Sequence, residues 1–374
     1  NILDAGSEFD IINAPQVSVA DTVGSGAVVH GNFEGKIEGI VLTNPGFNYI
    51  ETPSVTISGG NGSSSVCEAR MRGFTHSSSF TDFNVNLLTD RVTTTSEHRF
   101  LDGEEVTYVA TGTPVGIGST AVGFSTDRLS SGATYFVAKH DNTSYSLAIS
   151  RADALAKTNL IDFNAFGNQD HTLRSRQIRK VIDKIVVNQS SNDFSNKKVV
   201  VDGIAWPPSD QKDIFSSFVG VNVENNYIYA RNHKFKNGDN VVYSVDGTPI
   251  TGLATTSYYK VTVLDNHRFK LSEAGTASSI TSVNYDNQVY ADLTSVGVGT
   301  HTFKYPDIVV TINGLVSVGE TTSVPSYYNA TGTPIVRGNL ESVFIRSGGV
   351  GYGSSDIVNY NKTPQVKVLT GKDA

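Results

Sequence analysis

The chain has 374 residues, which at roughly 100–200 residues per domain allows two to four domains. Its 29 basic and 36 acidic residues give a formal net charge of −7, which argues against a general nucleic-acid or anionic-membrane binder, since such proteins present a basic face. Cys67 is the only cysteine, so an intrachain disulfide framework and a cysteine-based zinc cluster are excluded, and no apolar run approaches the roughly 18 residues of a membrane span.

Glycine, serine, threonine, asparagine and valine dominate the composition, whereas leucine, lysine and glutamate are sparse for a helical protein. This mixture supplies strand and turn residues but few strong helix formers. Short alternating runs, punctuated by Gly, Asn, Asp and Pro, predict an all-β fold: tandem small sandwich- or barrel-like domains with glycine-rich β-repeat units at both ends. Helix is expected only at residues 150–158 and 209–216.

Residues 1–75 are predicted to form the first glycine-rich β-repeat unit. Its motif is a strand, a glycine-rich turn with an aromatic residue, and a second strand that starts at a proline: Asn44-Pro45-Gly46-Phe47-Asn48-Tyr49 leads to Pro53-Ser54-Val55-Thr56-Ile57. A proline at the start of a strand removes no hydrogen bond from the sheet, because its missing N–H lies outside the ladder.

Residues 76–175 and 216–305 match each other and are predicted to be two copies of one β domain. The positions that recur are His98, Gly103, Tyr108, Pro114 and His171 in copy one, and His233, Gly238, Tyr243, Pro249 and His301 in copy two. The glycines indicate hairpin turns, and a second hairpin is expected at Asp141-Asn142 and at Asp265-Asn266. Each copy should contain about five to seven strands.

Residues 176–215 are predicted to be a linker that opens with a basic stretch, and Trp206-Pro207-Pro208 within it is expected to hold the two copies together. Residues 306–374 are predicted to be a β segment followed by the start of a further glycine-rich unit, with Leu340-Glu341-Ser342-Val343 and Thr363-Pro364-Gln365-Val366 as its matching pieces. Because partial repeats stand at both ends and no Met begins the chain, we expect a window from a longer array.

These motifs resemble large virion proteins of contractile-tailed phages of cyanobacteria, which are baseplate, tail and tail-fibre components. The resemblance rests on the Pro-Gly-x-x-Tyr unit, on residues 351–361 and on the His-x-Phe-x-x-Gly-x-x-Val-x-Tyr unit of each copy. It covers most of the chain apart from about 176–215 and 306–335. It implies an architecture shared by several virion proteins and supplies no catalytic residues.

Several residue groups allow a binding site as well as a structural role. The repeated histidines could bind a metal or sense pH, but duplication alone would also repeat a structural histidine. Acidic turns at 102–105 and 239–240 could bind Ca²⁺ or simply be solvated, and Tyr227, Tyr229, Tyr258, Tyr327 and Tyr328 could stack on sugars or pack internally. No local signature marks a carboxylate pair for glycoside hydrolysis, a phosphate-binding loop or a hydrolase elbow. We therefore predict no catalytic, cofactor or metal site, and we assign the ten recurring positions a structural role.

The sequence predicts a virion structural segment and not an enzyme: a tail or baseplate component that acts as a modular β spacer and assembly scaffold. The expected partners are other tail or baseplate subunits and further copies of the chain on a three- or six-fold axis, without nucleic acid, membrane insertion or a cofactor. The alternative is a receptor-binding tail-fibre module that recognises host surface glycans through residues 116–132. An enzyme that degrades surface polysaccharide is a third hypothesis.

Overall fold

The structure, a computed structural model, describes residues 2, 4–20, 24–63, 65–118, 127–190, 193–208, 218–273, 289–317, 328–350 and 365–369. These residues form strands almost throughout, so the predicted all-β class is confirmed. The helix expected at 150–158 is present as α1 (Arg151–Ala156), where the Ser150 side chain accepts a hydrogen bond from the Asp153 N–H. The helix expected at 209–216 lies outside the described residues.

The strands, in chain order, are β1 (Phe9–Asp10), β2 (Gln16–Ala20), β3 (Ser25–Asn44), β4 (Ser54–Ser58), β5 (Val66–Phe80), β6 (Val85–Asn86), β7 (Arg91–Thr93), β8 (Glu104–Ala110), β9 (Gly116–Ile117), β10 (Thr134–Lys139), β11 (Ser144–Ala148), β12 (Phe163–Ala165), β13 (His171–Gln189), β14 (Phe194–Ser195), β15 (Lys198–Asp202), β16 (Val219–Asn222), β17 (Tyr227–Ala230), β18 (Asn240–Thr248), β19 (Tyr258–Asp265), β20 (Arg268–Glu273), β21 (Val298–Lys304), β22 (Val309–Asn313), β23 (Thr331–Val350) and β24 (Gln365–Leu369).

The two copies have the same topology. Copy one is a seven-stranded antiparallel sheet in the order β5-β13-β8-β10-β11-β7-β6, and copy two follows the order β15-β21-β18-β19-β20-β17-β16. Each strand of the seven-stranded sheet of one copy therefore has an equivalent at the same place in the sheet of the other, and copy one has in addition the two-stranded sheet β9–β12. The expected second hairpins are β10–β11 and β19–β20. The prediction that the recurring glycines form hairpin turns is wrong: each turn leads into β8 or β18, but these strands pair with β10 and β13, or with β19 and β21, and not with the strand that precedes the turn in the chain.

Alternating apolar side chains form a separate core inside each copy. Val106 and Tyr108 on β8 are fully buried, as are their counterparts Val241 and Tyr243 on β18. Around them lie further valines, leucines and aromatic rings of the same sheet. Because successive strand residues point to opposite faces, this two-residue period buries one face of each strand.

The prediction that 176–215 is a linker is wrong for its strands. β13 continues past copy one to Gln189 and pairs along its length with β5, with shifts in register that mark β-bulges. β15 is the edge strand of copy two and pairs with β21. The internal repeat did not reveal either one, because β15 and the part of β13 beyond residue 175 carry none of the recurring residues. Trp206, expected to join the copies, instead stacks on Tyr229 of copy two with ring centroids 3.6 Å apart.

The prediction of two separate end units is also wrong, because the two ends of the chain form one unit. β3 pairs with β23 over nearly its whole length, from Asn44 opposite Thr331 to Ser25 opposite Val350. β1 pairs with β23, β2 with β24, and β4 with β22. We call this assembly the terminal unit. Neither end could satisfy its backbone hydrogen bonds alone, so each is completed by the other.

Candidate functional site

The ten recurring residues are five in each copy, and the histidines, tyrosines and glycines among them make equivalent contacts in the two copies. In copy one, Nδ1 of His98 accepts a hydrogen bond from the Phe100 N–H at 3.1 Å, and Nε2 donates to the Asp141 carbonyl at 2.9 Å. In copy two, His233 makes the equivalent bonds to the Phe235 N–H and the Asp265 carbonyl, at 3.0 and 2.9 Å. Each ring therefore ties the segment before the glycine turn to the second hairpin.

Burial keeps these two histidines neutral. It lowers the pKa of His98 to about 4 and lowers the pKa of His233, although the carbonyl bonds act in the opposite direction. Both ring nitrogens are already engaged in hydrogen bonds. A neutral imidazole in this state has no lone pair left for a metal ion, so the structural interpretation of these two residues fits the geometry.

The second pair of recurring histidines is bound to the recurring tyrosines. The Tyr108 hydroxyl lies 2.7 Å from Nδ1 of His171, and the Tyr243 hydroxyl lies 2.8 Å from Nδ1 of His301. Each hydroxyl also accepts a backbone N–H from the residue after the recurring proline, namely Val115 at 3.2 Å and Ile250 at 2.9 Å. The hydroxyl proton is thus directed to Nδ1, which places the proton of the neutral ring on Nε2.

Nε2 of His171 and of His301 has no hydrogen-bond partner among the described residues, and both side chains are fully buried. Burial lowers the pKa of each ring. Because Nε2 carries the proton of the neutral ring, it offers no lone pair to a metal ion, and the described part of the chain contains no group of three or more His, Cys, Asp or Glu residues placed to hold one.

The recurring glycines have a backbone role. Gly103 has a φ of +70° and Gly238 a φ of +86°, a conformation that residues with a Cβ adopt rarely. Their N–H groups bond to the carbonyls of Val137 and Val261, so each turn joins the adjacent strand of the sheet. A Cβ at position 103 would also lie 2.9 Å from the Leu155 side chain.

The carboxylates of the acidic turns considered for Ca²⁺ are already bonded to other groups of the protein. Asp102 accepts the Lys139 N–H at 2.8 Å, Glu105 pairs with Arg176 at 2.8 Å, and Asp239 accepts the Lys236 N–H at 2.7 Å. Glu104 is buried, accepts the Leu101 N–H at 2.7 Å and bonds to the Ser175 hydroxyl. These contacts do not form an open ring of oxygen ligands.

Two buried cations at the junctions with the terminal unit were not recognised in the sequence. Arg179, on β13, lies 2.5 Å from Glu104 with both side chains almost fully buried; the contact is an ion pair whose angles fall outside hydrogen-bond geometry. Its guanidinium also lies 5.9 Å from the centre of the Phe47 ring in the terminal unit. Arg179 belongs to a basic stretch of the kind that is usually exposed to solvent. Only its packing against Phe47 identifies it as a residue at the junction between copy one and the terminal unit.

Lys197 is the second buried cation, at the junction with copy two. Its Nζ lies 3.0 Å from the Lys234 carbonyl and 3.0 Å from Glu341 of the terminal unit. It also lies 5.5 Å from the centre of the Tyr305 ring. These contacts replace water around a charge that would otherwise be costly to bury.

The aromatic residues considered for sugar stacking separate into two groups. Tyr227 and Tyr328 are buried, which favours packing. Tyr229 and Tyr258 are half-buried, and one face of Tyr229 is covered by Trp206. Tyr327 and residues 119–126 of the loop 116–132 lie outside the described residues.

A polar cleft of about 440 Å³ lies in the terminal unit where Gly35 faces Gly338. Its charged lining consists of Glu8, Glu34, Lys36, Arg337 and Glu341. Burial, and then the neighbouring Glu341 carboxylate, raise the pKa of Glu34. The cleft is of mixed charge and lacks a clustered set of ligands or a nucleophile, so its chemistry does not single out a substrate.

Cys67 is half-buried, and burial raises the pKa of its thiol, which disfavours the reactive thiolate. Among the described residues, no helix has both the length and the apolar character required to cross a membrane. No family model, curated protein or solved structure matches this chain.

Proposed function

We propose that this chain is a structural segment of a phage virion, in the tail or baseplate, where it acts as a modular β spacer and assembly scaffold. The proposal rests on the motif resemblance together with the way the three parts of the chain are joined. Its partners are other tail or baseplate subunits and further copies of the chain in a symmetric assembly.

The observation that carries the proposal is that both copies are continuous with the terminal unit. β13 contributes its first residues to the sheet of copy one, and its later residues Ile182 and Ile185 pack against Tyr49 of the terminal unit. Phe344 of β23 is 2% exposed and belongs to the core of copy two. Domains joined by small polar contacts move relative to one another, whereas apolar and continuous junctions oppose such motion.

The buried ion pairs act at the same two junctions. Arg179–Glu104 lies beside Phe47, and Lys197–Glu341 links β23 to the start of copy two. Sliding the units past each other at either junction would separate the cation from its carboxylate partner. An unpaired charge would then lie against an apolar surface, which is costly in free energy. A spacer that transmits force through a tail needs this resistance to bending.

The test is immunogold electron microscopy on purified virions of contractile-tailed cyanobacterial phages, with antibody raised against this chain. Labelling of the baseplate or tail body is the expected result. Antibody absorbed with the purified chain serves as the control and should leave the virions unlabelled. Virions that remain unlabelled by the unabsorbed antibody would overturn the proposal, and labelling at fibre tips alone would favour the second candidate.

The second candidate, a receptor-binding module for host surface glycans, is favoured by the half-exposed Trp206 stacked on Tyr229. Sugars bind to aromatic faces of this kind, and Trp206 lies on the outer edge of copy two. The candidate predicts glycan binding that Trp206→Ala removes, measured on an array of host envelope saccharides. Binding centred instead on residues 116–132 would be unchanged by that substitution.

A further inference from the structure

The last hairpin of each sheet can be compared residue by residue. In copy one, the Asn86 side chain accepts the Leu88 and Thr89 N–H groups; in copy two, Asn222 accepts the Asn225 N–H. The turn then closes through a residue of positive φ, Asp90 at +52° and Asn226 at +53°. β6–β7 and β16–β17 are therefore equivalent hairpins, and both β6 and β16 are edge strands.

In copy two, the chain covers this edge itself. Val221 of β16 donates its N–H to the Ile204 carbonyl at 2.8 Å and accepts the Trp206 N–H at 2.8 Å. The contact is a parallel bridge between Ala205 and Val221. Residues 204–206 thus shield the edge from pairing with another polypeptide.

In copy one, the equivalent edge has no covering segment among the described residues. The counterpart of Val221 is Val85, whose N–H bonds to the Asp82 carbonyl within a 3-10 turn (Asp82–Asn84). No strand within the described ranges pairs with the outer side of β6. The short connection from β5 to β6 contains only this turn, so it cannot supply a covering segment like that of copy two.

The uncovered edge is also apolar. Phe83 and Leu88, two residues before and two residues after β6, are 93% and 92% exposed, the highest values among the large hydrophobic residues described. Their counterparts in copy two are Val219, which is 2% exposed, and the charged, exposed Glu224. Isolated exposed apolar residues are common, but two that flank an open edge mark an interaction surface.

We propose that this surface, defined by Phe83, Leu88 and the outer side of β6, is a contact between two copies of this chain. Residues 83–89 carry no charged side chain, so two such surfaces meet without like-charge repulsion. Natural sheet edges are usually protected by a charge or a covering segment, and copy two has both. A second chain supplies an identical uncovered edge and an identical apolar pair, as an isologous two-fold contact requires.

The experiment is sedimentation velocity of the full chain over a range of concentrations, comparing the native sequence with Leu88→Glu, Phe83→Ser and the double variant. Leu88→Glu introduces the residue found at the equivalent position of copy two, so the hairpin accommodates it. Each single substitution should raise the dissociation constant of the dimer at least about tenfold, because each removes a buried apolar contact. Val289→Ser, at a side chain 85% exposed in copy two, is the control and should leave the dissociation constant unchanged.

A second measurement locates the contact. A nitroxide label at Thr89→Cys in a Cys67→Ser background should show intermolecular dipolar coupling that Leu88→Glu abolishes, while the midpoint of thermal unfolding stays unchanged. A chain that sediments as a monomer at every concentration overturns the proposal, even if the surface then binds a different subunit. Association that is insensitive to both substitutions overturns it as well.

Discussion

The Tyr108 hydroxyl donates a hydrogen bond of 2.7 Å to Nδ1 of His171, although the two residues are 63 positions apart in the chain. The same hydroxyl accepts the N–H of Val115. Tyr243 makes the same two contacts in copy two, with His301 and Ile250. Duplication has therefore preserved a three-part polar contact inside an otherwise apolar core, and its removal should have a measurable cost.

Tyr108→Phe leaves the ring in place and removes only the hydroxyl. Two buried groups, the Val115 N–H and Nδ1 of His171, then lose their partner, and we expect the free energy of unfolding to fall by about 1–3 kcal/mol. Urea denaturation followed by tyrosine fluorescence and circular dichroism measures the change. Tyr229→Phe is the matched control and should stay within about 0.5 kcal/mol, since it keeps the ring stacked on Trp206. Equal effects of the two substitutions would contradict the importance of the hydroxyl.

Stability should decrease as the pH falls from about 6.5 towards 4. The unfolded chain takes up protons on its histidines near pH 6.5, whereas burial lowers the pKa of folded His98 to about 4 and lowers those of His171, His233 and His301. The unfolded state therefore binds more protons in this window, so the free energy of unfolding rises with pH. Each unit by which a pKa is lowered corresponds to about 1.4 kcal/mol.

Urea denaturation at pH 7, 6, 5 and 4.5 tests this dependence, and His98→Gln provides the comparison. The variant is less stable at pH 7, but its free energy of unfolding should change less steeply with pH, because one of the buried titrating groups is gone. A native chain whose stability is flat between pH 7 and 4.5 would show that these rings are not buried in the neutral form.

Glu104→Gln should be strongly destabilising, because it leaves the buried Arg179 without a counter-charge. We expect a loss of about 3–5 kcal/mol in the free energy of unfolding. The neighbouring Glu105 forms an exposed ion pair with Arg176, so Glu105→Gln is a control that should cost at most about 1 kcal/mol. Thermal and urea unfolding of both variants give the comparison; similar losses would mean that the buried pair contributes no more than a surface pair.

Phe344→Ala should weaken the junction between the terminal unit and copy two. The ring is 2% exposed within the core of copy two, so its removal should cost about 3–5 kcal/mol. Ile345, the next residue, is 40% exposed and faces the other side of β23; Ile345→Ala should change stability by about 0.5 kcal/mol or less. Limited proteolysis should then cleave the connection between β15 and β16 faster in Phe344→Ala than in the native chain. Ile345→Ala should be cleaved at the native rate. Equal cleavage of both variants would contradict a junction held by Phe344.

Local signals predicted the interior of each copy well. The recurring glycines stand where φ is positive, helix α1 lies within the expected 150–158, and the alternation of Val106 and Tyr108 gives two buried side chains. Each of these features depends on residues close in sequence, so the pattern alone carries the information. The structural role expected for the ten recurring residues stays a prediction, and the sequence did not show that Tyr108 and His171 are bonded.

Long-range pairing accounts for the incorrect predictions of a linker at 176–215 and of two separate end units. β15 and the later part of β13 are ordinary valine- and isoleucine-containing runs, and nothing within 176–215 shows that one is an edge strand and the other half of a long ribbon. Likewise, Arg179 and Lys197 are indistinguishable from solvated basic residues until Phe47 and Glu341 are brought against them. The segment that pairs with the edge strand of a sheet is the one that the packing of the other strands brings next to it.

The sequence by itself determined the all-β class, the duplication, the turns and the buried face of each repeated strand, because these follow from side-chain periodicity and from the backbone preferences of single residues. Only the tertiary structure decided that the two ends of the chain pair with each other, that residues 204–206 cover the edge of copy two, and that no described segment covers the edge of copy one beside Phe83 and Leu88. Segments that are far apart in the chain compete for the same backbone hydrogen bonds, and the packing of the whole chain determines which of them pair.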